Sequence, residues 1–489
     1  MLILWPVHQL EAEHSQYPGI MTLSAVLKAQ GFRSEVVPTD DVFVRDRLAS
    51  EERAVVAFST PSALATTYVG FNSRLKAHRP DVFSVFGGAH PTYFPDMIQE
   101  EGIDGVCIGE GEYAMLDLVR ALDDGSSPRD LENWWIKDDG VIHRNPLRPL
   151  IEDLDELPLP DRAAFSRAIS APGLHAIVMT GRGCPYGCTY CYNHLYRKLY
   201  EGKGHLIRRR SVDHVLRELR LLKDEGYRFI RFMDDLFTLQ PEWVREFSPR
   251  YAREIALPFT CLVRANFVDE AVIADLKRAG CHRIMMGIEA GNERLRNEVL
   301  KRRMSDEQIL EAARIIRASG IRLVTANILA LPGGTLADDW ETVELNIRAR
   351  PNYGSASILN AFPGTEIHET ARSMGLIQEG HVAAVSEGGF GFTSMLKMND
   401  PREKRQVENL HKFFGIVVWF PWLKPVVRRL IKLPPNRLFE FVYMACVNIG
   451  THLISVPPAI GGPMLLKKLK RRLMPKRRAQ VRRAGDTGQ

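Results

Sequence analysis

Three cysteines in one short stretch could hold a metal cluster. Cys184, Cys188 and Cys191 are separated by three and then two residues, and the flanking glycines let a loop direct all three sulfurs to one point. An iron–sulfur cube has four irons, so three protein ligands would leave one iron free for a substrate or cofactor. A structural zinc site completed by His194 is the alternative. A disulfide is disfavoured because the chain opens on an apolar strand without a signal-peptide pattern, so we expect a reducing cytosol.

The triad, with aromatic Tyr190 just before its last cysteine, resembles the cluster motif of the radical S-adenosylmethionine (SAM) superfamily. The resemblance implies that Cys184, Cys188 and Cys191 ligate a [4Fe-4S] cluster whose fourth iron binds SAM. One electron from the cluster would cleave SAM and give a 5′-deoxyadenosyl radical. In such enzymes the cofactors carry the hard chemistry, and the protein supplies positions and a dry pocket.

A run of strand–helix units from His175 onward predicts the scaffold that positions this loop. Strands are expected at 175–180, 229–233, 259–264, 283–289, 322–329 and 356–361. Helices are expected at 213–223, 270–278, 306–319 and 336–349. Six such units make a partial (β/α)6 barrel, in which chemistry belongs at the carboxyl ends of the strands.

Polar residues follow these strands at the expected edge. They are Asp234, Asp235, Arg264, Glu289 and Asn327. A strand-end carboxylate can also serve a neighbouring helix terminus, but the set resembles the SAM-binding elements of the superfamily. The resemblance implies that Arg264 and Glu289 hold the carboxylate, amine or ribose of SAM.

The Leu329 to Thr335 turn departs from the family's Gly-Leu-Pro-Gly-Glu-Thr. Ala330 and Gly334 replace its first glycine and its glutamate. We therefore expect no role inherited from that glutamate.

The first part of the chain alternates short apolar strands with helices, which predicts a doubly wound, Rossmann-like α/β sheet. Ligands of such sheets lie beyond the carboxyl ends of the strands. The candidate residues there are Ser59, Thr60, Gly87, Gly88, His90, Gly109 and Glu110. Generic turns explain each feature singly, but in this order they resemble the cobalamin-binding domain of one subgroup of radical SAM enzymes. The Asp-x-His-x-x-Gly motif is absent, so we expect no histidine ligand to cobalt.

The sequence divides into four parts. We expect a cobalamin-binding domain at 1–145, a linker at 146–172, a radical SAM barrel at 173–375, and a helical C-terminal region with a basic tail at 376–489. Ten Lys or Arg and no acid lie between Lys467 and Arg483, whereas the rest of the chain has 55 basic against 59 acidic residues. The basicity is thus a property of the tail.

Two interpretations of the C-terminal region stay open. Apolar segments at 413–420 and 438–456, followed by basic residues, suit an anionic membrane surface. They equally suit a helical cap over the barrel with a solubilising tail. Nucleic-acid binding is not expected, because no aromatic residue interleaves the charges.

The resemblance implies a cobalamin-dependent radical SAM enzyme, and we expect a methyltransferase that acts on an unactivated carbon of a small-molecule or lipid-like substrate. A substrate radical would take its methyl group from methylcobalamin, which a second SAM regenerates. Radical cyclisation, oxidation or rearrangement without methyl transfer is the alternative, and a non-catalytic cobalamin and cluster sensor or electron carrier is a third. We expect a flavodoxin- or ferredoxin-like electron donor, and a cytoplasmic protein with peripheral contact at the inner face of the membrane.

Overall fold

The computed structural model describes residues 1–8, 17–168, 175–377, 393–398, 400–454, 456–458 and 460. The basic tail singled out above, and part of the 438–456 segment, lie outside the described residues.

The N-terminal part is a seven-stranded sheet in the order β2-β1-β3-β4-β5-β6-β7. Its strands are β1 (Leu2–Val7), β2 (Arg33–Pro38), β3 (Ala54–Ser59), β4 (Phe83–Gly87), β5 (Gly105–Cys107), β6 (Trp134–Asp138) and β7 (Val141–Arg144). Its helices are Pro18–Ala29, Asp41–Leu48, Ala65–His78, Ala89–Tyr93 and Glu112–Asp124. Apolar side chains are buried on both faces of the sheet. The predicted doubly wound α/β fold is therefore confirmed.

The hairpin of β6 and β7 was not predicted from the sequence. β6 pairs antiparallel to β5 and β7 antiparallel to β6, which extends the parallel part of the sheet at one edge. The aromatic pair Trp134 and Trp135 opens this hairpin. Trp134 is buried, and its ring nitrogen donates to the carbonyl of Ala114.

The central part is a six-stranded parallel sheet in the order β15-β14-β13-β12-β11-β8, the predicted partial barrel. Its strands are β8 (His175–Val178), β11 (Phe229–Phe232), β12 (Phe259–Val263), β13 (Cys281–Glu289), β14 (Arg322–Leu329) and β15 (Tyr353–Ile358). A short antiparallel pair, β9 (Gly181–Arg182) and β10 (Arg208–Arg209), follows β8. The connecting helices are Val212–Asp224, Pro241–Glu254, Glu270–Arg278, Asp306–Ala318 and Leu336–Ala349, with Glu366–Ser373 after β15.

Two details of the barrel prediction were wrong. The last strand starts at Tyr353 and ends at Ile358, earlier than the range expected. The helix Pro241–Glu254 was missed, because Pro249 interrupts its pattern. That helix nevertheless buries Val244, Phe247 and Tyr251 in the barrel core, and this packing outweighs the proline.

The C-terminal region is helical, as expected, with helices Pro401–Trp419, Lys424–Leu430 and Arg437–Asn448. The first of them packs on β15, where side chains of Phe414 and Val418 approach Gly354. Among the described residues, none of the helices has both the length and the apolar character needed to span a bilayer.

Candidate active site

The cysteine loop lies between β8 and the helix Asn193–Leu199, at the carboxyl end of the first barrel strand. Gly183 has a φ of 92°, and a Cβ there would lie 2.1 Å from the carbonyl oxygen of Leu206, so only glycine fits. The amide of Cys191 donates to the carbonyl of Cys188 at 3.1 Å, which tightens the turn. The loop geometry thus follows from the glycine-bracketed spacing seen in the sequence.

All three thiols of the loop are free, and Cys188 is buried. Burial raises the pKa of Cys184, and it raises the pKa of Cys191 to about 11, with the Asp235 carboxylate and the neighbouring thiols acting in the same direction. Cys184 and Cys191 are therefore protonated near neutral pH, and binding of iron would release their protons. Nδ1 of His194 hydrogen-bonds the carbonyl of Cys191, within the loop itself.

Two guanidinium groups flank the middle cysteine. Nη1 of Arg264 lies 3.7 Å from Sγ of Cys188, and Nη1 of Arg302 lies 3.9 Å from the same sulfur. Arg264 also stacks on the ring of Tyr186, 3.6 Å from its centroid, and donates to the carbonyl of Arg302. Two buried cations beside one thiol suit a negatively charged cluster and the carboxylate of SAM, so these residues fit both groups.

Arg302 connects this pair to Glu289 and Tyr190. The Tyr190 hydroxyl donates to Oε1 of Glu289 at 3.0 Å and accepts from Nη1 of Arg302 at 3.2 Å. Nη2 of Arg302 donates to the carbonyl of Gly287 at 2.6 Å. Glu289 itself has a φ of 69°, unusual for a residue with a side chain, and it is the last paired residue of β13, directly after a bulge. The structure therefore brings Tyr190, Arg264 and Glu289 together with the cysteine triad.

Sequence reasoning missed Arg302. It stands between Lys301 and Arg303, and a run of three basic residues is typical of a solvated surface. In the structure Lys301 and Arg303 are exposed while Arg302 is buried. Arg302 is buried three residues after the end of a short π-helix (Leu295–Val299), and no local pattern in the sequence indicates this burial.

The remaining predicted barrel residues have other contacts. Oδ1 of Asp234 accepts from the amide and the hydroxyl of Thr180, both at 2.8 Å, so Asp234 fixes the strand end before the loop. Asp235 is exposed as a whole, but its carboxylate hydrogen-bonds the side chain of Asn193, and burial of the carboxylate raises the pKa of Asp235. Asn327 pairs in register with Glu289, but its amide nitrogen donates to Asn346 and to the carbonyl of Ser355. Asn327 and Asp234 are thus occupied by structural hydrogen bonds.

A cavity of about 330 Å³, partly open to solvent, lies between the two sheets. Its walls combine strand-end residues of both domains, and they include Ser59, Gly87, Gly88, Gly109, Glu110, Met179, Gly181 and Arg182. Apolar side chains, among them Trp5, Leu23, Met115 and Trp134, form much of the remaining wall. The cavity therefore touches the two residues that directly precede the cysteine loop.

Two glycines in this cavity wall, Gly19 and Gly87, leave room for a flat ligand. A Cβ on Gly19 would meet nothing within 4 Å, and a Cβ on Gly87 would meet only Cys107, at 3.6 Å. Side chains at either position would project into the cavity, so this wall fits cobalamin. Thr60 and His90 are outside the wall. Nδ1 of His90 lies 3.2 Å from the Ser62 hydroxyl, and burial lowers the pKa of His90 to about 4.

Glu110 has a second role that the sequence did not indicate. Its carboxylate contacts Arg182 at 2.7 Å and Arg208 at 2.9 Å, and it accepts from the amide of Ile151 at 3.0 Å. Burial alone would raise the pKa of Glu110, but the two arginines bring it below its ordinary value. Glu110 therefore joins the N-terminal sheet to the barrel as well as lining the cavity.

We expect Arg208→Met to destabilise the chain by about 3 kcal/mol, because it leaves the buried Glu110 with one partner fewer. Urea unfolding measures this loss. Arg317→Met, at an exposed position on a barrel helix, is the matched control and should change the free energy of unfolding by less than about 0.5 kcal/mol. Equal effects of the two variants would contradict this account of Glu110.

The turn after β14 carries a buried carboxyl group. Ala330 has a φ of 62°, and its amide donates to Oδ1 of Asp339 at 3.2 Å. Burial raises the pKa of Asp339 to about 8, and Asp338 and Glu403 add to the shift. The Asp339 carboxyl does not take the place of the family's glutamate, because Asp339 belongs to the following helix, Leu336–Ala349.

The Asp339 carboxyl predicts a pH dependence of stability. Its pKa is higher in the folded chain than in the unfolded chain, so folding takes up a proton between the two values. Its contribution is full below about pH 4 and declines as the pH rises through about 8. We expect Asp339→Asn to flatten this slope in urea unfolding across that range. An unchanged slope would contradict the assignment.

Comparisons with known protein families match both the N-terminal sheet and the barrel. The B12 binding domain model matches residues 14–119, and the Radical SAM superfamily model matches residues 178–345. The two matched ranges correspond to the N-terminal sheet that lines the cavity and to the barrel that carries the cysteine loop. The chain thus contains a B12 binding domain followed by a domain of the Radical SAM superfamily, and these two domains indicate cobalamin, a [4Fe-4S] cluster and SAM as its cofactors.

Individual relatives differ in their named activities. PH0819 of Pyrococcus horikoshii, named an uncharacterized methyltransferase, is 31% identical over 304 residues, which cover 61% of this chain and 64% of the relative. The anaerobic magnesium-protoporphyrin IX monomethyl ester cyclase of Rubrivivax gelatinosus is 24% identical and covers 71% of this chain and 64% of the relative. The chain thus spans 64% of the length of both relatives.

A solved structure shares the whole architecture. OxsB, a cobalamin-dependent SAM radical enzyme with aqua-cobalamin and SAM bound, superposes with a TM-score of 0.69 at 17% identity. The match covers 96% of this chain and 75% of that chain. It confirms the order of a cobalamin-binding sheet, a radical SAM barrel and a helical C-terminal region.

Proposed function

We propose that this chain is a cobalamin-dependent radical SAM methyltransferase acting on an unactivated carbon of a small-molecule or lipid-like substrate. The observation that carries the proposal is the shared cavity. Strand ends of the N-terminal sheet and residues directly before the cysteine loop line one continuous space. A substrate held there would lie between the corrinoid and the SAM site, as transfer between them requires.

The chain's own residues would prepare the reaction. The cluster supplies the electron that cleaves SAM, and cobalamin supplies a methyl carrier. Arg264 and Arg302 would bind the SAM carboxylate, and Glu289, oriented by Tyr190, would accept from its amine. The buried setting of these groups keeps water away from the reactive radical.

Apolar residues at the barrel mouth support an apolar substrate. Met179 follows β8 and Met233 follows β11, and their side chains are 38% and 39% exposed. Flexible thioether side chains at strand ends suit adaptable apolar contacts. We therefore favour a substrate whose reacting carbon lies in an apolar segment.

A second reaction has support from three relatives that are named as cyclases. The cyclase of Rubrivivax gelatinosus matches over 71% of this chain. Radical cyclisation, oxidation or rearrangement without methyl transfer would use the same cavity and the same SAM contacts. A non-catalytic sensor or electron carrier is less well supported, because it gives the contacts among Arg264, Arg302 and Glu289 no purpose.

The proposal also covers the domain bounds, the electron donor and the location of the chain. The domains are taken to extend over 1–145, 173–375 and 376–489, with a linker at 146–172. A flavodoxin- or ferredoxin-like protein would deliver the electron. The chain would work in the cytoplasm, with peripheral contact at the inner face of the membrane.

Product analysis tests the reaction class. The chain is purified without oxygen, reconstituted with iron, sulfide and cobalamin, and supplied with a strong reductant and labelled SAM, with a Cys184/Cys188/Cys191→Ala variant as control. Deoxyadenosine together with S-adenosylhomocysteine is the expected result. Deoxyadenosine alone would favour the reaction without methyl transfer, and neither product from a chain shown to bind both cofactors would favour the sensor.

A further inference from the structure

One stretch of the C-terminal region exposes an unusual share of apolar side chains. Among the described residues, half of the exposed large apolar side chains fall within 420–449. They are Phe420, Trp422, Val426, Leu433, Leu438, Phe441 and Ile449. Trp422 and Phe441 are 73% and 70% exposed, the highest values among them. Large side chains exposed in such a concentration indicate a contact surface.

The helices carrying these residues are already packed on their other side. Val427 and Ile431 are buried against the helix Pro401–Trp419, as is Phe439, whose ring lies 4.7 Å from that of Phe413. Leu438 and Phe441 are three residues apart on the helix Arg437–Asn448, so they share a face. The exposed apolar face is thus not the one that covers the barrel.

Basic residues accompany the apolar ones. Arg428, Arg429, Lys432 and Arg437 are exposed in the same stretch, and Glu440 is its one acidic residue. Residues 420–489 contain 15 Lys or Arg and 2 acids, whereas residues 1–419 contain 50 and 57. The excess of basic residues therefore lies in the same part of the sequence as the exposed apolar side chains.

We propose that the surface formed by residues 420–441 docks on an anionic lipid bilayer. Trp422, Leu438 and Phe441 enter the boundary between headgroups and acyl chains, and Arg429, Lys432 and Arg437 contact anionic headgroups. Two aromatic side chains with adjacent cations are the combination that this interface favours. The inference names the surface for the peripheral contact proposed above, and it does not depend on which reaction the enzyme performs.

An RNA partner fits the surface less well. Besides Trp422 and Phe441, the surface exposes the aliphatic side chains of Val426, Leu433 and Leu438. Single-stranded nucleic acid is instead bound by aromatic platforms lining a basic groove. A bilayer accommodates aliphatic and aromatic side chains alike.

Vesicle flotation of the full-length, cofactor-loaded chain tests the proposal. The probes are vesicles of phosphatidylcholine alone and of phosphatidylcholine with phosphatidylglycerol. We expect binding to the anionic vesicles, and a loss of roughly tenfold in partition for Trp422→Ser/Phe441→Ser, because binding scales with the apolar area inserted. Arg429→Glu/Lys432→Glu should lose roughly tenfold as well. The matched control, Phe43→Ser/Val141→Ser, removes exposed apolar side chains of the N-terminal domain and should bind as the wild type does.

Several outcomes would overturn the proposal. They are wild-type partition of the Trp422→Ser/Phe441→Ser variant, equal binding to neutral and anionic vesicles, and binding of RNA in preference to vesicles. Because the altered residues are exposed, unchanged thermal unfolding should accompany the loss of binding. SAM cleavage by the same samples reports on the active site separately, so a failure of the docking surface and a failure of the proposed reaction give different results.

Discussion

Replacing Cys188 with alanine is expected to abolish SAM cleavage. Cys188 is the buried member of the triad, and its sulfur accepts from two guanidinium groups, so alanine removes a cluster ligand and an acceptor of both cations. A cluster with two remaining ligands would be lost or degraded on reconstitution. Iron content, the absorption spectrum of the cluster and deoxyadenosine formation should all fall to background.

Cys446→Ala is the matched control for this experiment. Cys446 is also a buried free thiol, but it lies in the C-terminal helix Arg437–Asn448, away from the loop. Its replacement should leave cluster content and SAM cleavage near wild-type values. If Cys446→Ala lost the cluster, or Cys188→Ala kept it, the assignment of the triad would be wrong.

Arg302→Met is expected to weaken SAM binding by roughly 10- to 100-fold, the range found for residues that support the ligands of a metal site. The change removes the donor to Tyr190, the donor to the carbonyl of Gly287, and one of the cations beside Cys188. Glu289 would then lie buried without its nearest cation. The midpoint potential of the cluster should also become more negative, because a positive charge near the sulfur has been lost.

Arg303→Met is the control, since Arg303 is the exposed neighbour in the same turn. It should leave SAM affinity and the cluster potential unchanged. Isothermal titration and redox titration of both variants separate a positioning role from a loss of folding. Similar SAM affinity of Arg302→Met and wild type would contradict the role given to Arg302.

The cysteine loop and the strand ends could be predicted because their signals are local. Cys184, Cys188 and Cys191 have a fixed spacing, and the alternating strands placed Arg264 and Glu289 at the catalytic edge without knowledge of tertiary contacts. The same logic placed Ser59, Gly87 and Gly88 at the cavity. Periodicity and turn residues carry this information directly.

The features that could not be predicted from the sequence depend on long-range packing. Arg302 looks like a surface residue until the turn after β13 buries it beside Cys188. Glu110 looked like a cofactor ligand, yet its carboxylate pairs with Arg182 and Arg208. These partners are 72 and 98 residues away in sequence. The helix Pro241–Glu254 was missed because it contains an internal proline. Burial of the helix's apolar face offsets the free-energy cost of that proline.

A second contact between the domains also could not be predicted from the sequence. Tyr93, after the Gly-Gly-x-His-Pro-Thr run, stacks on Tyr192 of the cysteine loop, with ring centroids 4.2 Å apart and an angle of 10°. Tyr192 in turn contacts Phe362. These rings hold the N-terminal sheet against the cluster loop, which keeps the shared cavity in register with the SAM site.

The most direct test measures cobalamin binding by the cavity and SAM cleavage at the barrel separately within the same chain. Cobalamin retention, deoxyadenosine and S-adenosylhomocysteine are measured for wild type, for Gly87→Leu, which fills the cavity, and for Gly70→Leu, a control in the same domain outside the cavity wall. We predict that Gly87→Leu keeps its cluster and still forms deoxyadenosine, but loses cobalamin and S-adenosylhomocysteine, while Gly70→Leu behaves as wild type. Cobalamin bound by Gly87→Leu at wild-type affinity, or S-adenosylhomocysteine formed without cobalamin, would contradict the account.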